Sequence, residues 1–147
     1  MAGAADQPGR LAIRPARLED IQATLGLWRQ ARSAAAVTPD TEEAVALLIT
    51  RPPSVVLLAE QDRAVVGALV VAWDGWRGNM YRLAVLRHLR RRGIARLLVE
   101  AGHDHLRAAG ARRVSALVAD DEEDAVGLWL SVGYERDELI SRFVRNL

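Results

Sequence analysis

Residues 83–95, LAVLRHLRRRGIA, combine the end of a strand, a basic turn and a glycine that opens a helix. The strand is expected to end at Val85 or Leu86, and the helix to open at about Arg92 or Gly93. The first turn of a helix has N–H groups without intrahelical acceptors, at the positive end of the helix dipole. A glycine there lets a ligand come close to the backbone. Arginines beside it add charge-assisted hydrogen bonds. Such a combination suits an anion, most simply a pyrophosphate. The rival readings are a solvated basic turn before an ordinary helix, or a nucleic-acid patch. The latter lacks interleaved aromatics and a broad basic face. There is no GxxxxGK[ST], and Gly93 alone does not make GxGxxG, so neither nucleotide hydrolysis nor a dinucleotide site is supported.

Other residues are candidates for chemistry of lower specificity. The block DDEED at 120–124 either caps a helix, where acids favour the positive dipole end, or recognises a cationic amine. Trp73 and Trp76 either pack a strand end or wall an acceptor pocket with the 74–78 loop. Asn79 and Tyr81 point to one face of a strand. His103 and His105 lack the i, i+4 spacing of a helical metal pair and read as structural, and no metal site is expected. With no cysteine in the chain, a disulfide scaffold, a thiolate metal site and a cysteine nucleophile are excluded.

Positioning these groups requires a particular order of elements. LAIRPA (11–16) reads as a short strand and Leu18–Arg32 as a helix with Ile21, Leu25 and Trp28 on one face. A second helix is expected near Thr38, capped by it and stopped at Arg51-Pro52-Pro53. VVLLAE (55–60) and AVVGALVVAW (64–73) form a hairpin around Gln61-Asp62-Arg63. The 74–78 loop leads to a third strand, 79–86. Gly93–Ala109 is a helix closed by Gly110. A strand at 112–118, a helix at Glu122–Val132 closed by Gly133, and a weaker last strand within 134–144 complete the order β, α, α, β, β, β, α, β, α, β.

The 147 residues suit one domain over 11–147 behind a loose tail, 1–10. Half of the residues are hydrophobic and 27% are charged, which excludes disorder as the main reading. The longest apolar run, Ala64–Trp73, is too short to span a bilayer as a helix. The N-terminal stretch has no apolar core, so a cytoplasmic protein without a membrane partner is expected. Twenty basic residues, all arginine, face nineteen acids, a net charge of +1 that does not itself suggest nucleic acid.

In this order of elements, Arg90-Arg91-Arg92-Gly93-Ile94-Ala95 fits [RQ]-x-x-G-x-[GA] and resembles the acyl-CoA loop of the GCN5-related N-acetyltransferase (GNAT) superfamily. Ile13-Arg14-Pro15-Ala16 with Asp20, LAV at 83–85 and GLWLSVGYE at 127–135 resemble other segments of that family, so the resemblance spans about residues 11–145. It implies an α/β fold with a mixed, mostly antiparallel twisted sheet, a βαβ acyl-CoA-binding crossover and flanking helices. It also implies acetyl-CoA as co-substrate, with the backbone of Leu83 and Val85 pairing with pantetheine. Arg90, Arg91, Arg92, Gly93, Ile94 and Ala95 would hold the pyrophosphate. The expected activity is direct acetyl transfer to a primary amine of a small molecule or peptide, since no activated nucleophile is visible. Trp73, Asp74, Trp76 and Asn79 are the candidate acceptor pocket. A homodimer is plausible by the same resemblance, with an edge strand at about 137–145.

The chain departs from the family where many members place an acid tyrosine. Here that residue is Trp129, whose indole N–H donates but cannot serve as a proton-transferring acid at neutral pH. A frequent helix-start Asn is Glu122, and a Glu found on the fifth strand of some members is Leu117. Tyr81 is therefore the first candidate for proton handling and Glu122 the second, with Asp121 and Asp74 also considered. The alternative implied by Trp129 is an acyl-CoA-binding module with weak or no transferase activity.

Overall fold

Asp62 and Arg63 both adopt left-handed backbone, φ 52° and 64°. Two such residues make the tight turn whose twist matches paired strands, and they join β2 (Val55–Gln61) to β3 (Ala64–Trp73) as the expected antiparallel hairpin. The computed structural model describes residues 9–31 and 37–147. In it β1 (Leu11–Pro15) pairs with β2, and β3 pairs with β4 (Gly78–Val85), all antiparallel. After α3 (Ile94–Ala109) the chain returns as β5 (Val114–Ala116), parallel to β4. The sheet order is β1-β2-β3-β4-β5.

Both faces of the central strands are covered, which explains the nearly unbroken apolar run of β3. On one face Val56, Leu58, Ala68, Val70 and Ala84 form a buried cluster with Leu25, Leu27 and Trp28 of α1 (Ile21–Ala31) and Val45 of α2 (Glu42–Thr50). Fully burying one such Leu or Val is worth about 1.5–3 kcal/mol. On the other face α3 lies so close that a Cβ at Gly102 would stand 2.7 Å from Met80 Cε. A Cβ at Gly67 would meet Leu98 and Ile94 at 3.1 and 3.2 Å. Glycine in β3 thus lets the first turns of α3 settle directly on the sheet.

A three-residue 3₁₀ turn, Leu18–Asp20, precedes α1. Asp20 accepts the Arg17 N–H at 2.7 Å and two bonds from Arg14, at 2.8 and 2.9 Å. Arg14 also reaches Glu60 on β2 at 2.7 Å. This buried carboxylate joins the sheet edge to the start of α1. The expected last residue of that helix, Arg32, lies outside the described residues, as do residues 1–8 of the expected tail.

Three expectations need correction. The second helix is capped by Thr41, not Thr38: Thr41 is extended and its Oγ1 accepts the Ala44 N–H at 3.1 Å, while the Thr38 carbonyl bonds Arg82. The strand expected at 112–118 shrinks to Val114–Ala116, the only residues in register with β4. The last strand, 137–145, does not form. Its apolar residues fall in adjacent pairs, Leu139-Ile140 and Phe143-Val144, so neither strand face is apolar. All four are exposed. The edge on which a homodimer was expected is therefore absent.

The chain divides into two compact units, one through Leu117 and one from Val118 to Leu147. The first holds β1–β5 and α1–α3. The second holds α4 (Glu123–Ser131), with Glu123 and Asp124 in its first turn. Within it Tyr134 sets its ring edge-on to Trp129, with centroids 4.7 Å apart. Burial pushes the Tyr134 phenol up to about 12. Asp120 pairs with Arg136 at 3.3 Å. No described helix is long and apolar enough to cross a membrane.

Candidate active site

Pairing between β4 and β5 stops at Met80 and Ala116. Among the described residues, no strand covers that edge of β4 from Tyr81 onward. The groups on the edge follow from hydrogen bonding on the other side. Leu86 donates to Val66 at 3.0 Å and Ala84 stands opposite Ala68, so these two turn their backbone groups toward β3. By alternation Leu83 and Val85 turn theirs to the open edge. The Val85 carbonyl there accepts Arg90 Nε at 3.2 Å.

Beyond the strand, residues 87–89 make a single 3₁₀ turn closed by Leu89 N–H to Leu86 O at 2.9 Å. Arg91 and Gly93 are both left-handed, φ 64° and 82°. Left-handed residues alternating with ordinary ones curl successive amides toward one concave side, a common anion cradle. Helix α3 opens there with Gly93 as its cap. The first amide to bond back is Leu97, to Gly93 O at 3.1 Å. The amides of the preceding turn have no helical acceptor of their own. Nothing lies within 4 Å of a Cβ built on Gly93. Ile94 is buried and packs near Gly67, the register partner of Val85. The helix start is thus fixed over the end of the open edge. Leu83 and Val85 lie on the open edge of β4, and Arg90 to Ala95 form the turn and the first residues of α3.

A bulge interrupts β4 at residues 82 and 83, opposite Leu69. One extra residue reverses which face each later side chain takes. Before the bulge, Gly78 and Met80 face Leu106 and Gly102 of α3. After it, Ala84 joins Trp28 and Leu25 on the α1 face. Arg82, at the bulge, is left-handed with φ 51°. Its carbonyl accepts Trp28 Nε1 at 3.2 Å. Its guanidinium meets Asp40 at 2.9 Å and also bonds the Thr38 carbonyl. Sequence reading missed this set, because nothing in an isolated arginine of a strand signals a bulge.

Tyr81 is the first residue past the β4–β5 pairing and is 36% exposed, while Asn79 stands within the pairing, opposite Ser115. Trp73, Asp74 and Trp76 sit at the β3–β4 turn, at the opposite end of β4 from Val85. Asp74 Oδ1 accepts the N–H groups of Arg77 and Trp76 at 2.6 and 2.7 Å, which hold its carboxyl below the usual range. Trp76 is exposed, with the Arg77 guanidinium 4.5 Å from its ring centre. Glu122 belongs to the second unit, just before α4, where its carbonyl accepts the Val126 N–H at 2.9 Å. His105 contacts the Pro53 carbonyl at 2.6 Å. Burial, then Arg107, pulls the His103 pKa down. No group of three potential metal ligands occurs among the described residues.

Residues 22–134, which include the open edge, the glycine turn and α3, match the family model described as Acetyltransferase (GNAT) family. The chain belongs to that family. An acetyltransferase from Pectobacterium atrosepticum is 29% identical over 133 residues, 89% of this chain and 92% of its own. The aminoglycoside N-acetyltransferase AAC(6′)-Iy in complex with CoA shares the fold of this GNAT acetyltransferase. Its TM-score is 0.81 at 16% identity, over 98% of this chain and 100% of that one. The ribosomal-protein-S18-alanine N-acetyltransferase from Escherichia coli gives 0.72 at 18% identity, over 84% and 77%. The five-stranded mixed sheet with its flanking helices is the GNAT fold.

Proposed function

We propose that this acetyltransferase uses acetyl-CoA and transfers the acetyl group directly to a primary amine. The observation that carries the proposal is the junction of an open strand edge with an anion cradle. The Leu83 and Val85 edge suits an amide-bearing arm, and the Arg91–Gly93 backbone with the α3 amides suits a pyrophosphate. The space around the Gly93 Cα leaves that backbone open to a ligand. The CoA-bound relative of the same fold is consistent with this use.

Acetyl-CoA supplies an acyl carbon activated as a thioester. Arg90, Arg91, Arg92, Gly93, Ile94 and Ala95 hold its phosphates. Leu83 and Val85 orient the arm, and the Val85 N–H polarises the acyl carbonyl. The amine nitrogen bonds to the acyl carbon as the C–S bond breaks. The amine loses a proton and the departing sulfur gains one. Tyr81, where the two strands part, is the candidate to carry a proton. Asn79 stands on the acceptor side, with Trp73, Asp74 and Trp76 beyond it.

Release of free thiol from acetyl-CoA tests this reading. The panel comprises sisomicin, spermidine and a peptide with a free N-terminal alanine. Product mass should rise by one acetyl group. Acetyl-CoA binding with no acetylated product from any amine would contradict direct amine transfer.

A further inference from the structure

Arg82 is tied down on three sides. Its backbone is left-handed, a conformation disfavoured for residues other than glycine. Its carbonyl is held by the Trp28 indole of α1. Its guanidinium, 20% exposed, is paired with an Asp40 carboxylate that is 15% exposed, and it bonds the Thr38 carbonyl as well. A strained backbone persists only where its surroundings over-determine it. The bulge it holds comprises Arg82 and Leu83 and resets the strand alternation. It thereby decides that Leu83 and Val85, rather than their neighbours, turn backbone groups to the open edge.

We propose that Arg82 is a positioning residue for the pantetheine part of acetyl-CoA, acting through the bulge and held there by Asp40 and Trp28. The proposal rests on the reading of the open β4 edge as the acetyl-CoA site. Arg82 touches no reacting atom in this scheme. It fixes the strand geometry that Leu83 and Val85 present.

Calorimetry with two probes tests it. Acetyl-CoA engages the turn and the strand edge, whereas 3′-phospho-ADP, its nucleotide half, engages only the turn. Arg82→Ala should weaken acetyl-CoA at least tenfold and change 3′-phospho-ADP less than twofold. Arg82→Lys keeps a cation for Asp40 and should recover acetyl-CoA affinity to within threefold of wild type. Asp40→Asn leaves the backbone sequence of the strand intact and should shift the two probes in the same unequal way, to a smaller degree. A merely structural role would weaken both probes equally or neither, and either result overturns the proposal. Wild type that binds neither probe would instead refute the acetyl-CoA site itself.

Discussion

Replacing Asp20 with asparagine removes one charge from the junction of β1, β2 and α1. The Asp20 carboxyl is held at about 2, against an ordinary 3.8, first by its hydrogen bonds from Arg14 and then by the Arg17 N–H, with burial opposing. At about 1.4 kcal/mol per pKa unit, the depression corresponds to about 2 kcal/mol of folding stability at neutral pH. The folded pKa lies below the unfolded one. The stabilisation is therefore complete above about pH 5, falls by about half near pH 3, and vanishes below pH 2. Arg14, whose own pKa is raised by Asp20 and Glu60, stays charged throughout. Asp20→Asn should thus unfold in urea at pH 7 with about 2 kcal/mol less stability than wild type. The gap should shrink to about half as the pH is lowered from 5 to 3. A gap below about 0.5 kcal/mol at pH 7, or one unchanged at pH 3, would refute the assignment of this stability to the carboxylate.

Gly93→Val places a β-branched residue at φ 82°. It should lower stability by about 1–2 kcal/mol and reduce CoA affinity at least tenfold by calorimetry. Gly102→Val has no room beside Met80 and should cost about 1–3 kcal/mol or more by urea unfolding. Tyr81→Phe should keep acetyl-CoA affinity while lowering kcat about a hundredfold or more, the usual worth of acid–base assistance. The Tyr134 phenolate should appear only near pH 12, seen as the ultraviolet difference between wild type and Tyr134→Phe.

Much of this was legible where local chemistry is decisive. Gly110 closes α3 in left-handed backbone, the usual place for a glycine at a helix end, so that end is marked in the sequence, and Gly93 at the start is left-handed too. The β2–β3 hairpin showed in two apolar runs around a short polar turn. Thr38 and Thr41 are both capable caps, and only tertiary bonds to Arg82 distinguish them. The last strand was misread because its apolar residues are split between the two faces, each interrupted by polar or charged residues, so neither face can be buried. The bulge at Arg82 was invisible because an inserted residue is defined by the opposing strand. Trp28 reads as a core residue of an amphipathic helix, which it is, but its indole N–H also fixes that bulge.

Calorimetric titration of the purified chain with acetyl-CoA, CoA and ATP bears most directly on the open edge and its anion cradle. Micromolar binding of both CoA compounds, with ATP much weaker, is the predicted result, because ATP supplies phosphates but no arm for the Leu83 and Val85 edge. Absence of binding by acetyl-CoA and CoA, or ATP binding as tightly as they do, would contradict the assignment of β4 and its turn as an acetyl-CoA site.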